Sequence, residues 1–200
     1  MANNNDPCPD KCALSFGGVN SPRALAIVRR NVEVLEVNRE TFQTKTRTYF
    51  SLERLEEFDA SMHVSDLIEQ VKLIYRSYPV NDKHRFMSIS VDLDPANIVI
   101  LRFRELLKGS RINLNPVEIT PDGKNDTQRQ FNLIYNLRMG IQEKRFVADE
   151  RFGTAWRTQA ARMDDAIPWR PPDVHLAAAI AVAFAHVEEA PIGWQSGRLL

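Results

Sequence analysis

The sequence is poor in cysteine and has no bias toward either charge. Its 200 residues include only Cys8 and Cys12 as cysteines, and 26 basic side chains balance 26 acidic ones. Two cysteines without a second pair or a histidine cluster lack the ligand set of a structural zinc site. The balanced charge excludes a broad positive field that would attract nucleic acid. Any DNA binding would therefore need a local basic patch.

Signals for membrane insertion, export and nucleotide binding are also missing. The longest apolar run, residues 176–185, has about half of the ~20 residues that a membrane-spanning helix needs. The N-terminal stretch MANNNDPCPDKC has neither the basic flank nor the apolar segment of a secretory signal, so we expect a cytoplasmic protein without a membrane partner. GGVNSPR lacks the spacing and the lysine of a nucleotide-binding loop, so no nucleotide cofactor is expected. The four histidines are scattered, and none is predicted to be catalytic.

The first half of the chain carries strand signals followed by one clear helix. Turn residues separate β-branched runs at 12–17, 24–30, 32–37 and 44–55, which predicts three or four strands of an antiparallel meander. Apolar residues at helical spacing then predict a helix over 64–78, with Ser65 as its N-cap.

The second half reads as alternating strands and helices. Residues 85–94 predict a central strand, 97–109 a helix closed by glycine, and 111–120 a further strand, which together favour a parallel crossover. A helical pattern follows over 127–144, while 146–163 is ambiguous. The last helix, from Asp173 to about residue 188, is rich in alanine and is expected to lie close against a sheet. The predicted organisation is a disordered tail at 1–11, one α/β domain at 12–190 and a C-terminal tail at 191–200.

Three short segments share a further pattern in their order and spacing. They are CALSFGGVNSPRALAIV, SISVDLDPANIVILRFREL and PPDVHLAAAIAVA. In this order they resemble the first hairpin, the acidic central strand and the last helix of ribonuclease-H-like nucleases, and more narrowly of the C-terminal nuclease domain of phage terminase large subunits. The resemblance implies a ribonuclease-H-like mixed sheet, an antiparallel meander followed by parallel strands, flanked by helices.

The resemblance also implies a chemistry and its residues. Acids from the first strand, the central strand and the last helix of this family hold a pair of Mg²⁺ or Mn²⁺ ions for phosphodiester hydrolysis. Hard cations require such oxygen ligands. In this sequence the match places catalytic residues at Asp92 and Asp173, and metal ligands at Asp92, Asp94 and Asp173. It further implies DNA, and phage packaging or other proteins, as partners.

The match departs from the family at two ligand positions. Ser15 stands where the first strand should supply an acid, and Pro172 stands at the first acid of the terminal pair. A neutral hydroxyl cannot neutralise the charge of bridging metal ions. The resemblance thus implies weak binding of Mg²⁺ or Mn²⁺ and a terminase-like DNA-processing domain whose hydrolytic activity is impaired or lost.

Three alternatives remain open at the level of sequence. Asp92 and Asp94 could be turn residues at a strand end, with Asp173 a helix cap. The chain could be a non-enzymatic assembly or nucleic-acid-binding protein that keeps only the fold. The alignment could also slip, so that Asp10 or Asp94 supplies the first acid. Basic residues of the later chain, including Lys108 and Arg111, are expected to lie on solvated helix faces.

Overall fold

A mixed β-sheet with helices on both faces organises the part of the chain described by the computed structural model. The described residues are 8–16, 22–37, 44–92, 97–116, 135–137, 139–148, 152 and 179–184. The elements are β1 (Lys11–Ser15), β2 (Arg23–Val37), β3 (Thr44–Phe58), α1 (Val64–Ser77), β4 (Ser88–Asp92), α2 (Ile98–Leu107), β5 (Asn113–Pro116) and β6 (Phe146–Ala148). Residues 135–137, 139–142 and 179–184 are also helical.

The strand order confirms the predicted fold class. Within the described residues the sheet has six strands in the order β5-β4-β1-β2-β3-β6. β1, β2 and β3 form the antiparallel meander, whereas β4 pairs parallel to β1 and β5 pairs parallel to β4. The sheet therefore has the ribonuclease-H-like arrangement expected from the sequence, with the first strand at the junction of its antiparallel and parallel halves.

The crossover from β4 through α2 to β5 follows from local sequence signals. The Asn97 side chain accepts a hydrogen bond from the Val99 N–H at 2.9 Å and so caps the start of α2. One face of α2 buries Ile100, Phe103 and Leu107. Gly109 then adopts a φ of 78°, a left-handed conformation that favours glycine, and turns the chain toward β5.

The helix α1 begins differently from the prediction, although its buried face is as expected. Leu67, Ile68, Val71 and Ile74 are buried. The N-cap is His63, whose Nδ1 accepts a hydrogen bond from the Ser65 N–H at 3.3 Å. The prediction of Ser65 as N-cap is wrong because the helix already begins at Val64, directly after the extended backbone of His63.

Two strand predictions also need correction. Residues 24–30 and 32–37 belong to one 15-residue strand, β2, because β3 pairs along its whole length. Beyond the other strands this pair forms an exposed ribbon, with Val34, Leu35 and Val37 about half exposed. β6 lies in the segment that the sequence left ambiguous, and its three residues pair parallel to β3.

Two hydrophobic clusters lie on opposite faces of the sheet. Alternate residues of each strand face opposite sides, so Ala13 and Ala26 join one cluster while Leu14 and Ile27 join the other. The cluster with α1 and α2 includes the buried rings of Phe58, Phe86 and Phe103. The other cluster contains residues 179–184, whose alanines pack against the sheet as predicted. The sheet side of this contact includes small alanines of β1 and β2, which the sequence analysis did not consider. All six of these helical residues are buried, and not only the expected face.

The ends of the domain remain a prediction, but two residues assigned to the N-terminal tail have defined positions. Asp10 is buried and Lys11 opens β1. No helix in the described ranges is long and apolar enough to cross a membrane. Cys8 and Cys12 are both free thiols. Burial raises the pKa of the Cys12 thiol, which keeps it protonated and unreactive.

Candidate functional site

The carboxyl ends of β1 and β4 lie side by side. These strands are adjacent and parallel, and their register pairs Cys12 with Ile89 and Ser15 with Asp92. On its other side Ser15 pairs with Ala24 of the antiparallel β2. Two positions 77 residues apart in sequence thus become neighbours in the sheet. This strand edge is where the sequence placed the first-strand ligand and the central acid.

Two aromatic side chains and one arginine lie next to this edge. Phe16 packs edge-on against Phe103 of α2 with ring centroids 5.8 Å apart. The Arg23 guanidinium lies 5.0 Å from the Phe16 ring centroid and donates hydrogen bonds to the carbonyls of Met62, at 2.5 Å, and Ala60, at 3.2 Å. Arg23 therefore ties the start of β2 to the loop before α1, next to Ser15.

The oxygen-bearing side chains that the structure describes at this edge are two serines. Ser15 and Ser90 are both buried, at 1% and 5% exposure, and Ser90 pairs with Ala13. Both hydroxyls are neutral, whereas paired divalent ions require several carboxylates. Across the described ranges, no three His, Cys, Asp or Glu side chains come together to hold a metal ion. The two described serine hydroxyls by themselves could not hold a pair of Mg²⁺ or Mn²⁺ ions.

Of the three predicted acids, the structure describes the backbone of one. The backbone of Asp92 ends β4 beside Ser15. Asp94, Asp173 and Pro172 lie outside the described residues. The assignment of Asp92 and Asp173 as catalytic residues, and of these two with Asp94 as metal ligands, stays a prediction.

Comparison with solved structures gives matches that include two structures of one viral enzyme. The fowlpox virus Holliday junction resolvase matches with a TM-score of 0.48 and 13% identity, over 90% of this chain and 97% of that one. Its complex with substrate Holliday junction DNA matches with a TM-score of 0.47 and 12% identity, over 88% and 97%. No family model matches the sequence, and no curated protein matches it. The terminase resemblance thus rests on the three sequence segments alone.

A second polar cluster lies at the opposite end of β1. Arg29 donates two hydrogen bonds to the Asp10 carboxylate, from Nε to Oδ1 and from Nη2 to Oδ2, both at 2.9 Å. The Tyr78 hydroxyl donates a third to Oδ2 at 2.9 Å. The Asp10 N–H donates to the His84 carbonyl at 2.8 Å, and His84 Nδ1 lies 3.7 Å from Oδ1. We call this set the Asp10 cluster.

Its position excludes Asp10 as the missing first-strand acid. The five residues of β1 separate Asp10 from the carboxyl edge by about 16 Å at ~3.3 Å per residue. The carboxylate is fully buried and already paired with Arg29, whose pKa it raises. The alternative alignment through Asp10 is therefore wrong. Sequence gave no signal for the cluster, because the partners of Asp10 lie 19 and 68 positions away.

Proposed function

We propose that the chain is a DNA-processing domain with a nuclease-type fold, related to terminase nucleases, whose metal-dependent phosphodiester hydrolysis is impaired or lost. The observation that carries this proposal is the register of Ser15 beside Asp92. This register supports the alignment that assigned Asp92 as the central acid and Ser15 as the position of the absent first-strand acid. A strand edge with one aspartate and a buried serine keeps the place of a nuclease site but lacks the charge that the chemistry needs.

The residual site in this proposal consists of Asp92 and Asp173, with Asp94 nearby in sequence. Asp92 follows Ser90 by two positions, the spacing of residues on one face of a strand. Ser90 stands on the face that packs against residues 179–184, within the helix that the sequence starts at Asp173. This continuity supports the approach of both acids to one edge. One or two carboxylates can hold a single divalent ion weakly, with water completing its shell.

Restoring a carboxylate at position 15 is the sharpest test. We expect the native protein to show little or no cleavage of plasmid, linear duplex or branched DNA with Mn²⁺ or Mg²⁺. Ser15→Asp should strengthen the rise in melting temperature caused by Mn²⁺, because it adds the missing negative ligand beside Asp92. Without metal the same variant should melt lower than the native protein, since its new buried carboxylate is unpaired. Thermal melts with and without EDTA give both readings.

The matched control is Ser15→Asn, which has a similar size but no charge. It should not strengthen the response to Mn²⁺, and Asp92→Ala should remove the response that Ser15→Asp creates. Robust cleavage by the native protein that Asp92→Ala abolishes would contradict the impaired activity. A native protein and a Ser15→Asp variant that are both indifferent to Mn²⁺ would contradict the residual metal site. That result would favour the non-enzymatic nucleic-acid-binding or assembly protein.

A further inference from the structure

A basic groove lies at the amino end of β4 and β5, away from the Ser15 and Asp92 edge. It has a volume of about 480 Å³, within the usual range for ligand sites. Five of its lining residues are cationic, and none of the lining residues that the structure describes is Asp or Glu. They come from the end of α1, the turn after α2 and the segment before β4: Lys72, Arg76, Arg85, Lys108 and Arg111.

Most of these cations form no ion pair with the acids that the structure describes. Lys72 is paired with Glu69 at 2.7 Å. For Arg76, Lys108 and Arg111 the described part of the chain provides no ion pair within 4.0 Å, and all three are exposed. A chain with zero formal net charge thus concentrates like charges at one place. Such a concentration attracts anions through the field of the groove.

At each helix end beside the groove, a serine hydroxyl donates a hydrogen bond to one backbone carbonyl. The C-terminal end of a helix carries partial negative charge, which could by itself explain nearby basic residues. Here Ser110 Oγ donates to the Leu107 carbonyl at 2.7 Å, and Ser77 Oγ donates to the Ile74 carbonyl at 2.6 Å. These two carbonyls have a serine hydroxyl as donor, and the described part of the chain gives the side chains of Lys108 and Arg111 no hydrogen bond or ion pair.

Arg85 is held in a fixed position at the wall of the groove. Its guanidinium lies 3.9 Å from the Tyr75 ring centroid, and its Nε donates to the Tyr75 carbonyl at 3.2 Å. Stacking and this hydrogen bond reduce the conformational entropy that Arg85 would lose on binding, while its other N–H groups can still donate. Gly109, with its left-handed φ of 78°, forms the turn between Lys108 and Arg111.

We propose that this groove is a phosphate-binding site that holds the backbone of a DNA strand. Fixed arginine donors and flexible lysines are the groups that bind phosphate oxygens, and contacts of this kind position a strand without reading its sequence. The site is separate from the Ser15 and Asp92 edge. It goes beyond the proposed function, because phosphate binding in the groove does not require that the edge bind metal or cleave DNA.

The test compares two double variants of the full chain. Lys108→Ala with Arg111→Ala removes one lysine and one arginine from the groove. Lys45→Ala with Arg102→Ala removes the same charge from exposed positions that do not line it. Binding to a labelled DNA duplex is measured in EDTA over a range of salt concentrations. We expect the groove variant to bind roughly tenfold more weakly near 0.1 M salt, and its log K against log salt slope to fall by about 2, with little change in the control.

Inorganic phosphate is the second probe and separates the two sources of the phosphate group. The proposal is supported if duplex DNA binds through the groove and phosphate competes only at high concentration. Phosphate that raises the melting temperature of the native protein but not of the groove variant, without DNA binding, would overturn the DNA assignment in favour of a small phosphate ligand. Equal losses in both double variants, or a native protein that neither binds DNA nor is stabilised by phosphate, would overturn the site. Because EDTA removes divalent ions, failure of the metal site would not affect these results.

Discussion

Asp10 and Ser15, two buried polar residues at opposite ends of β1, differ in whether their surroundings can compensate a buried negative charge. Asp10 keeps its carboxylate in the interior because Arg29 and Tyr78 supply three hydrogen-bond donors. A carboxylate at Ser15 would need a compensating cation of its own, since Arg23 is already bound to backbone carbonyls and to Phe16. In a metal-dependent nuclease the metal ions supply that charge. The buried Ser15 hydroxyl is neutral and does not carry this cost of burying a charge.

Breaking the Asp10 cluster should be costly. Asp10→Asn replaces a carboxylate oxygen by an N–H group facing the Arg29 donors. We expect a loss of about 2 to 3 kcal/mol in the free energy of unfolding, below the upper range for buried pairs because Arg29 is 25% exposed and can reach water. Urea unfolding measures it, with Glu33→Gln on the exposed ribbon as control. Equal stabilities of the two variants would contradict the role of the cluster.

The same variant tests a pH dependence. Burial raises the pKa of Asp10 above its ordinary value of 3.8, although the hydrogen bonds and charge of Arg29 oppose the shift. The folded state therefore holds the proton more tightly than the unfolded state. The stability of the native protein relative to Asp10→Asn should grow as pH falls through the folded pKa toward 3.8. A difference that shrinks on acidification would mean that Arg29 outweighs burial.

At the scale of elements, the packing of residues 179–184 depends on one glycine. The Phe184 ring is fully buried and packs edge-on against Phe50 and Phe146, with centroids 5.1 and 5.6 Å away. A Cβ atom at Gly140 would lie 2.9 Å from the tip of this ring. Since the ring is held by both neighbours, it cannot move away without disturbing the cluster. Gly140 thus sets how closely the two helical segments approach.

Gly140→Ala should destabilise the protein despite the better helix propensity of alanine. Alanine gains about 1 kcal/mol in a helix, whereas overpacking typically costs about 1 to 3 kcal/mol. We expect a net loss of about 1 kcal/mol in chemical unfolding. Phe184→Leu should relieve the clash, so the double variant should lose less than the sum of the two single losses. Additive losses would show that the ring yields freely.

At the scale of the whole molecule, the two hydrophobic clusters share the same strands. Consecutive residues of β1 and β2 face opposite sides, so each of these strands contributes side chains to both clusters. The sheet therefore couples the helices of one face to those of the other. We expect the described elements to unfold as one unit.

Core truncations on opposite faces should lower one common transition. Ile27→Ala in the cluster with α1, and Leu52→Ala in the cluster with residues 179–184, each remove a fully buried side chain. Each should cost about 2 to 5 kcal/mol, against about 1 kcal/mol for the conservative Ile27→Val. Far- and near-ultraviolet circular dichroism should give coincident unfolding curves for all variants. Separate transitions for the two truncations would contradict this coupling.

Local periodicity predicted the elements well where one face of an element is buried. The apolar spacing of α1 and the order of β4, α2 and β5 were readable because burial imposes a period on the sequence. Prediction failed where partners are distant in sequence. The unbroken β2 is held by β3 along its length, and the three residues of β6 carry too little pattern to be distinguished without β3 beside them.

The sequence by itself determined the mixed α/β class, the meander and crossover, and the absence of an acid at position 15, because these depend on residue type and local spacing. Only the tertiary structure decided which residues meet. Strand pairing places Ser15 beside Asp92, and Asp10 forms a buried ion pair with Arg29 at the other end of β1. The tertiary structure also gathered the groove cations from three separate segments. The reason is physical: strand register and helix packing act across long stretches of chain, and no local pattern records them.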